Sequence, residues 1–383
     1  MQKKLIALAV AGLVSAPVFA QSNVTIYGIV DAGYSWRGDN VASGVGNRSA
    51  VDSGQSAGSR LGFKGVEDLG NGLKAGFVLE QGIAVDTGTS TQGGRTFGRQ
   101  SFVYLNGGFG TVALGRQYAP HHILGAATDP FGKGTVGEFN NVYVSEVRLD
   151  NLAAYVSPNW GGFSFVAGFT MNAVADESRD NENGAVSVTN PLTGGAVALG
   201  NIGDVRAWAF QPKYSNGPLM VAFNAHEIKL NGVGIPGVVA DGDKVRIYDL
   251  MGTYDFGVVK LAGAYGVRRA DSIDFSPDGA FGGEDSKQWM VGLTVPVGAA
   301  GKVLGSYTRR TTELAVGSDA KSSQWALGYE HALSKRTSLY AAYSDISNNS
   351  SAENAGVIAS VGDAANTGKG YQRGLSTGVR HSF

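Results

Sequence analysis

Side-chain character along this chain alternates with a period of two, in one segment after another from Val24 to Phe383. In "VTIYGIVDAGY", Val24, Ile26, Val30, Ala32 and Tyr34 fall on one face of an extended strand, and Thr25, Tyr27, Ile29 and Asp31 on the other. In "SRLGFKG", Leu61 and Phe63 oppose Arg60, Gly62 and Lys64. In "LKAGFVLE", Leu73, Ala75, Phe77 and Leu79 oppose Lys74, Gly76 and Glu80. The segments number 16. In the last, Leu375, Val379 and Phe383 share a face with Thr377 and His381, opposite Ser376, Gly378, Arg380 and Ser382. No stretch after the first 20 residues approaches the roughly 18 consecutive apolar residues of a membrane-crossing helix.

Connection length also alternates. Short links with turn chemistry, such as "EDLGNG", "SPNWGG" and "YSNGP", take turns with long polar segments such as "WRGDNVASGVGNRSAVDSGQSAGS". Seven short turns and eight long loops fit 16 up-and-down strands. A strand of roughly ten residues at about 3.3 Å each, tilted about 45°, spans about 24 Å, the apolar height of an outer-membrane barrel. A soluble sandwich would need a polar outer face, whereas alternate faces here are apolar along the whole chain. Aromatics near strand ends (Tyr34 and Trp36, Trp160 and Phe163, Tyr254 and Phe256, Tyr340 and Tyr343) suit interfacial girdles. The expected fold is therefore all-β: a 16-stranded antiparallel transmembrane β-barrel with short periplasmic turns and long external loops. Its last strand must close against its first, with Phe383 at the periplasmic interface as an assembly signal.

The first 20 residues have a different character. Lys3 and Lys4 precede an apolar run from Leu5 to Val14, and Val18-Phe19-Ala20 offers a cleavage site. Residues 1–20 are expected to be a removed signal peptide and residues 21–383 a single barrel domain in the outer membrane. Removing the two lysines takes the basic count from 31 to 29 against 32 acids, so the formal net charge moves from -1 to -3. A nucleic-acid binder would show a basic excess. The chain has no cysteine, so neither disulfides nor thiolate metal sites hold it together.

The stretches "SRLGFKGVEDLGNGLKAGFVLEQG", "FGRQSFVYLNGGFGTVALGRQY", "NLAAYVSPNWGGFSF", "HALSKRTSLYAAYS" and "GVRHSF" resemble the trimeric general-diffusion porins of Gram-negative outer membranes, of the neisserial and betaproteobacterial type. The resemblance runs from about Val24 to Phe383 and implies a homotrimer surrounded by outer-membrane lipid. Each barrel would be a passive, water-filled channel for ions and small hydrophilic solutes. It also implies that the third external loop, Ala119 to Val147, folds inward to narrow the pore. Asp129, Glu138 and Glu146 would give that loop its acids. The wall arginines that face such a loop match Arg60, Arg99 and Arg148 here.

Parity supports an inward Arg60, which shares its face with Lys64. Arg99 lies opposite Phe102 and Tyr104, which again sends it inward. Arg148 opens the strand after the loop. Arg116 shares a face with Val112 and Leu114, and reaches the lumen only through a twist or bulge. Opposed acids and bases across a narrow aqueous gap create a transverse field that biases traffic without trapping a solute.

A substrate-selective channel with a lumenal binding site is the alternative. An aromatic ladder on the pore wall would favour it, and Tyr27 is the inward aromatic that parity gives. An enzyme is a more distant reading. His226-Glu227 has no evident nucleophile beside it, and His121-His122 lacks a carboxylate at helical spacing for a metal. No cofactor is expected.

Overall fold

Alternating residues become strands here because one face can contact lipid while the other meets water or a loop. The computed structural model describes residues 23–41, 45–144, 148–171, 173, 186–189, 196–199, 205–230, 244–271, 285–314, 317–361 and 370–383. Residues 1–20, the expected signal peptide, and Glu146 lie outside them. Sixteen long strands form the wall: β1 (Asn23–Asn40), β2 (Arg60–Gly70), β3 (Leu73–Ala84), β4 (Gln100–Gly107), β5 (Gly110–Tyr118) and β6 (Arg148–Val156). They continue with β7 (Phe163–Thr170), β8 (Val205–Asn216), β9 (Leu219–Leu230), β10 (Lys244–Asp255) and β11 (Lys260–Ala270). The last five are β12 (Ser286–Val297), β13 (Gly301–Thr312), β14 (Ala320–Ala332), β15 (Thr337–Asn348) and β16 (Tyr371–Ser382).

Each strand pairs antiparallel with its sequence neighbours, and β1 closes the ring. It pairs with β16 from Ile29↔Ser382 to Asn40↔Tyr371, and with β2 from Asn23↔Val66 to Ile29↔Arg60. A short strand, Arg48–Ser53, covers the upper part of that second edge. This strand, the pair Thr89–Ser90 and a hairpin of Val186–Thr189 with Ala196–Leu199 are additions that alternation did not reveal. The β2–β3 turn shows the local chemistry. Asn71 and Gly72 have φ of 51° and 78°, the left-handed pair of a two-residue hairpin whose twist matches its strands.

The faces separate as the alternation requires. Val24 and Ile26 are about 60% exposed on the outside, whereas Asp31 and Ser35 on the opposite face are fully buried. Among the described residues, none of the apolar clusters fills the centre of the barrel. Its buried apolar residues lie instead between the inner wall and the third loop, which carries helix α1 (Pro120–Thr128) and a single turn at Phe139–Asn141. Leu124, Phe139 and Tyr143 pack on Met251 and Met290, and Phe131, Val136 and Val142 pack towards Leu304, Ala326 and Ala342.

Phe383 sits at the seam. Its backbone exchanges two hydrogen bonds with Gly28, each 3.1 Å, and its ring covers the space in which a Gly28 side chain would stand. Gly28 therefore leaves room for this ring. Deleting Phe383 is expected to lower the amount of protein in the outer membrane and leave chain in the periplasm, measured by fractionation. Gly28→Val should give the same defect by crowding the ring. Normal outer-membrane levels of both variants would refute this role for the seam.

Candidate functional site

The inward faces of β1 to β6 build a basic wall around one buried acid. Glu80 on β3 accepts from Arg99 Nε at 2.8 Å and from the Tyr27 hydroxyl at 3.1 Å, and Arg60 Nη1 lies 3.8 Å away. Lys64 stands 5.1 Å from the Tyr27 ring centroid. Tyr118, at the end of β5, continues the row. Its hydroxyl accepts from Arg99 and, at 3.2 Å, from Arg148, whose guanidinium lies 4.7 Å from the ring centroid. Above them, towards the external mouth, Arg48 and Arg37 approach Asp52 at 2.6 and 3.9 Å. Four arginines thus share two carboxylates, Glu80 and Asp52, and Arg148 joins the row through Tyr118.

Arg60, Lys64, Tyr27 and Arg148 stand where the sequence reading puts them. Arg99 reaches the same cluster by a different route. Val103 and Leu105 are the exposed outer residues of β4, while Tyr104 fills the inner space over Gly76. Phe102 and Tyr104 therefore face inward, and strict alternation would send Arg99 out. It turns in because it precedes the first ladder residue, Gln100, and only its backbone N–H is held, by the Glu80 carbonyl at 3.1 Å.

Arg116 lies at a bulge. The β5–β6 register shifts between Gly115 and Gln117, with Gly115 at a φ of 133°. Its guanidinium bonds to Asp150, which Arg95 also contacts at 2.9 Å, and its Nε donates to the Gly98 carbonyl at 2.7 Å. Arg116 thus belongs to a second, acid-bound cluster.

The third loop faces this wall, and polar residues on four strands hold it in place. Asp249 on β10 accepts from the Tyr143 hydroxyl at 2.6 Å. Gln288 on β12 bonds both the N–H and the carbonyl of Val144. Gln324 on β14 donates to the carbonyls of Gly137 and Glu138, and Ser344 on β15 to that of Val136. Loop and wall also meet where the Thr135 N–H bonds to the Gln55 carbonyl. The segment after Gln55 is bound in turn by Asp31, which accepts from the N–H groups of Gln55, Ser56 and Ala57. None of these wall residues carries a sequence motif. Parity alone, applied to Asp31, Glu80, Gln288 and Gln324, could have found them.

The loop acids are less available than an open loop suggests. Asp129 is buried and accepts from the backbone N–H groups of Phe131, Lys133 and Phe139. Burial outweighs these bonds and pushes its carboxyl up to about 6. Burial also pushes Glu138 well above the usual carboxylate range, with Lys133 only partly opposing it. His122 stacks on Tyr118 at 4.8 Å, and burial together with Lys133 and Arg148 depresses it to about 2, so the ring is neutral. His121 is buried with its Nε2 3.0 Å from Asp249. His226 faces inward beside Asn224, while Glu227 pairs with Arg246 and Lys244, so these adjacent residues do not meet.

The comparisons with known proteins agree with this architecture. A family model described as Gram-negative porin matches residues 7–351. An outer membrane porin protein of Bordetella pertussis is 33% identical over the full length of both chains. A solved structure, the anion-selective porin from Comamonas acidovorans, is 28% identical and covers 95% of this chain and 100% of its own, with a TM-score of 0.71. The trimer form of OmpT of Vibrio cholerae shares the fold at a TM-score of 0.65 and 16% identity, covering 94% and 99%.

Acidification should protonate Asp129 and Glu138, because carboxyls with raised values take up protons as pH falls through those values. The loop then loses negative charge while the arginines keep theirs. The reversal potential in a salt gradient should move towards anions between about pH 8 and about pH 5, and a shift towards cations would contradict this. A closed 16-stranded barrel, an inward loop and full-length similarity to porins place the chain in the Gram-negative porin family, as a non-enzymatic channel of the outer membrane.

Proposed function

We propose that the lumen is a weak filter for ions and small hydrophilic solutes that favours anions. The observation that carries this is the imbalance of charge at the narrowing. Arg60, Arg99, Arg148 and Lys64 are fixed to strands or strand ends, and among the described residues Glu80 is the one carboxylate paired with Arg60 and Arg99. On the facing loop, Asp129 is occupied by its own backbone, and burial disfavours ionisation of Glu138. Glu146 remains a candidate third acid. A guanidinium about 7 Å from a permeating ion in water-like dielectric contributes roughly 0.6 kcal/mol, close to a threefold bias. That is large enough to sort ions and small enough to release them. The description of the Comamonas acidovorans porin as anion-selective supports the same sign.

Assembly as a homotrimer is the second element of the proposal. Outward ring pairs such as Phe163/Tyr214, Trp289/Tyr307 and Trp325/Tyr343 belong to β7 onward. The outer face of β2 to β5 instead presents Val103, Leu105 and Leu114 beside the small Ala75 and Gly65 around an apolar groove. A wall facing lipid gains from an aromatic girdle, and a wall facing another protein gains from small residues and close packing.

Replacing Arg60, Arg99 and Arg148 together by alanine should move the reversal potential towards cations in planar bilayers while the barrel stays folded. Unchanged selectivity would remove them from the narrow zone. Leu114→Arg should convert a detergent-stable trimer into monomers by native mass measurement. A wild-type protein that is monomeric under the same conditions would overturn the assembly.

A further inference from the structure

The periplasmic side of the loop holds a cavity that the constriction does not use. It has a volume of about 380 Å³ and lies between the end of α1, from Ala126 to Phe131, and the inward faces of β11, β13, β14 and β16. Its wall residues stand next to the short turns: Lys260 opens β11, Lys302 is the second residue of β13, and Arg380 lies near the end of β16.

Its charges are unequally matched. Glu330 is bound by Lys302 at 3.0 Å and by Arg380 at 2.7 Å, and so is shared between two cations. Asp129 reaches the same cavity but is held by backbone N–H groups. Lys260 is half-buried, faces inward and has no side-chain hydrogen bond or ion pair among the described residues. Its backbone partner on β12, Thr294, adds a hydroxyl to the lining. Beside hydroxyl groups such as those of Thr128 and Tyr340, an apolar part of the lining comes from Leu304, Ala262 and Phe131.

We propose that this cavity is a subsite for organic carboxylates with a short apolar body, with the carboxylate on Lys260 and the body against Leu304 and Phe131. The proposal deepens the channel reading given above and rests on it. An inorganic anion would gain only the charge, and a neutral solute only the apolar wall. A carboxylate with an aromatic or branched body gains both, and one unpaired cation is too weak to hold it for long. A solute leaving the constriction would pause there before release into the periplasm.

Benzoate added to the protein in planar bilayers tests this, with benzyl alcohol as the neutral probe of similar size. Benzoate should reduce the open-channel current at lower concentration than benzyl alcohol. Lys260→Gln and Lys260→Ala should each raise the half-blocking benzoate concentration by about fivefold, the weight of one cation at contact distance in water-like dielectric. Lys260→Arg should restore it. Equal block by both probes, or half-blocking concentrations unchanged in both charge-removing variants, would overturn the subsite while leaving the channel intact. Absence of any conductance from the wild type would instead strike at the channel itself. Retained β-rich circular dichroism identifies variants that have folded.

Discussion

Every backbone amide that meets hydrocarbon must be hydrogen-bonded within the protein, since an orphan costs several kcal/mol there. Sixteen strands with one open seam would expose a row of such groups on two edges. The pairing of β1 with both β16 and β2 removes those edges, and most of the architecture follows from it. β1 is longer than any other strand because it must meet two partners at different heights. Gly28 has no side chain because the Phe383 ring needs its space at the seam.

Closure also moves the core. A ring of this size cannot fill its centre with side chains, so the usual hydrophobic interior is displaced to the contact between the third loop and the inner wall. Apolar packing alone would let a loop slide, because it is non-directional. Asp249, Gln288, Gln324 and Ser344 supply direction by bonding to particular loop residues from successive inward-facing positions. Those bonds set the height of the narrowing, and Asp31 holds the Gln55–Ala57 segment to which Thr135 of the loop bonds.

The barrel was legible in the sequence because each strand carries its own record of which side faces lipid. Strand number, turn placement and the seam at Phe383 follow from that alternation, whereas the inward third loop came only from the family resemblance. The site was legible only where the alternation is unbroken. Arg60, Lys64 and Tyr27 sit inside regular ladder and appear on the expected face. Arg99 and Arg116 sit at the end of a ladder and at a bulge, where period two ends, so parity sent the first inward only by misplacing Phe102 and Tyr104, and could not place the second. Glu80 was on the correct face but had no motif to mark it. The occupation of Asp129 by backbone N–H groups was invisible, because it depends on the folded path of the loop and not on any local pattern.

That difference between strand and loop decides the character of the pore. A charge fixed to a strand keeps its position as an ion passes, whereas a loop carboxylate already bonded to its own backbone has little field left to offer. The basic wall is in turn moderated from within. Glu80 and Asp52 keep clustered guanidinium groups from repelling one another, and Tyr118 spaces Arg99 from Arg148 through a shared hydroxyl. Without such partners the arginines would splay, and each would bind a passing anion more tightly. With them, the wall holds a modest excess of positive charge spread over several residues, so that a solute meets a gradient of shallow steps and not one deep well.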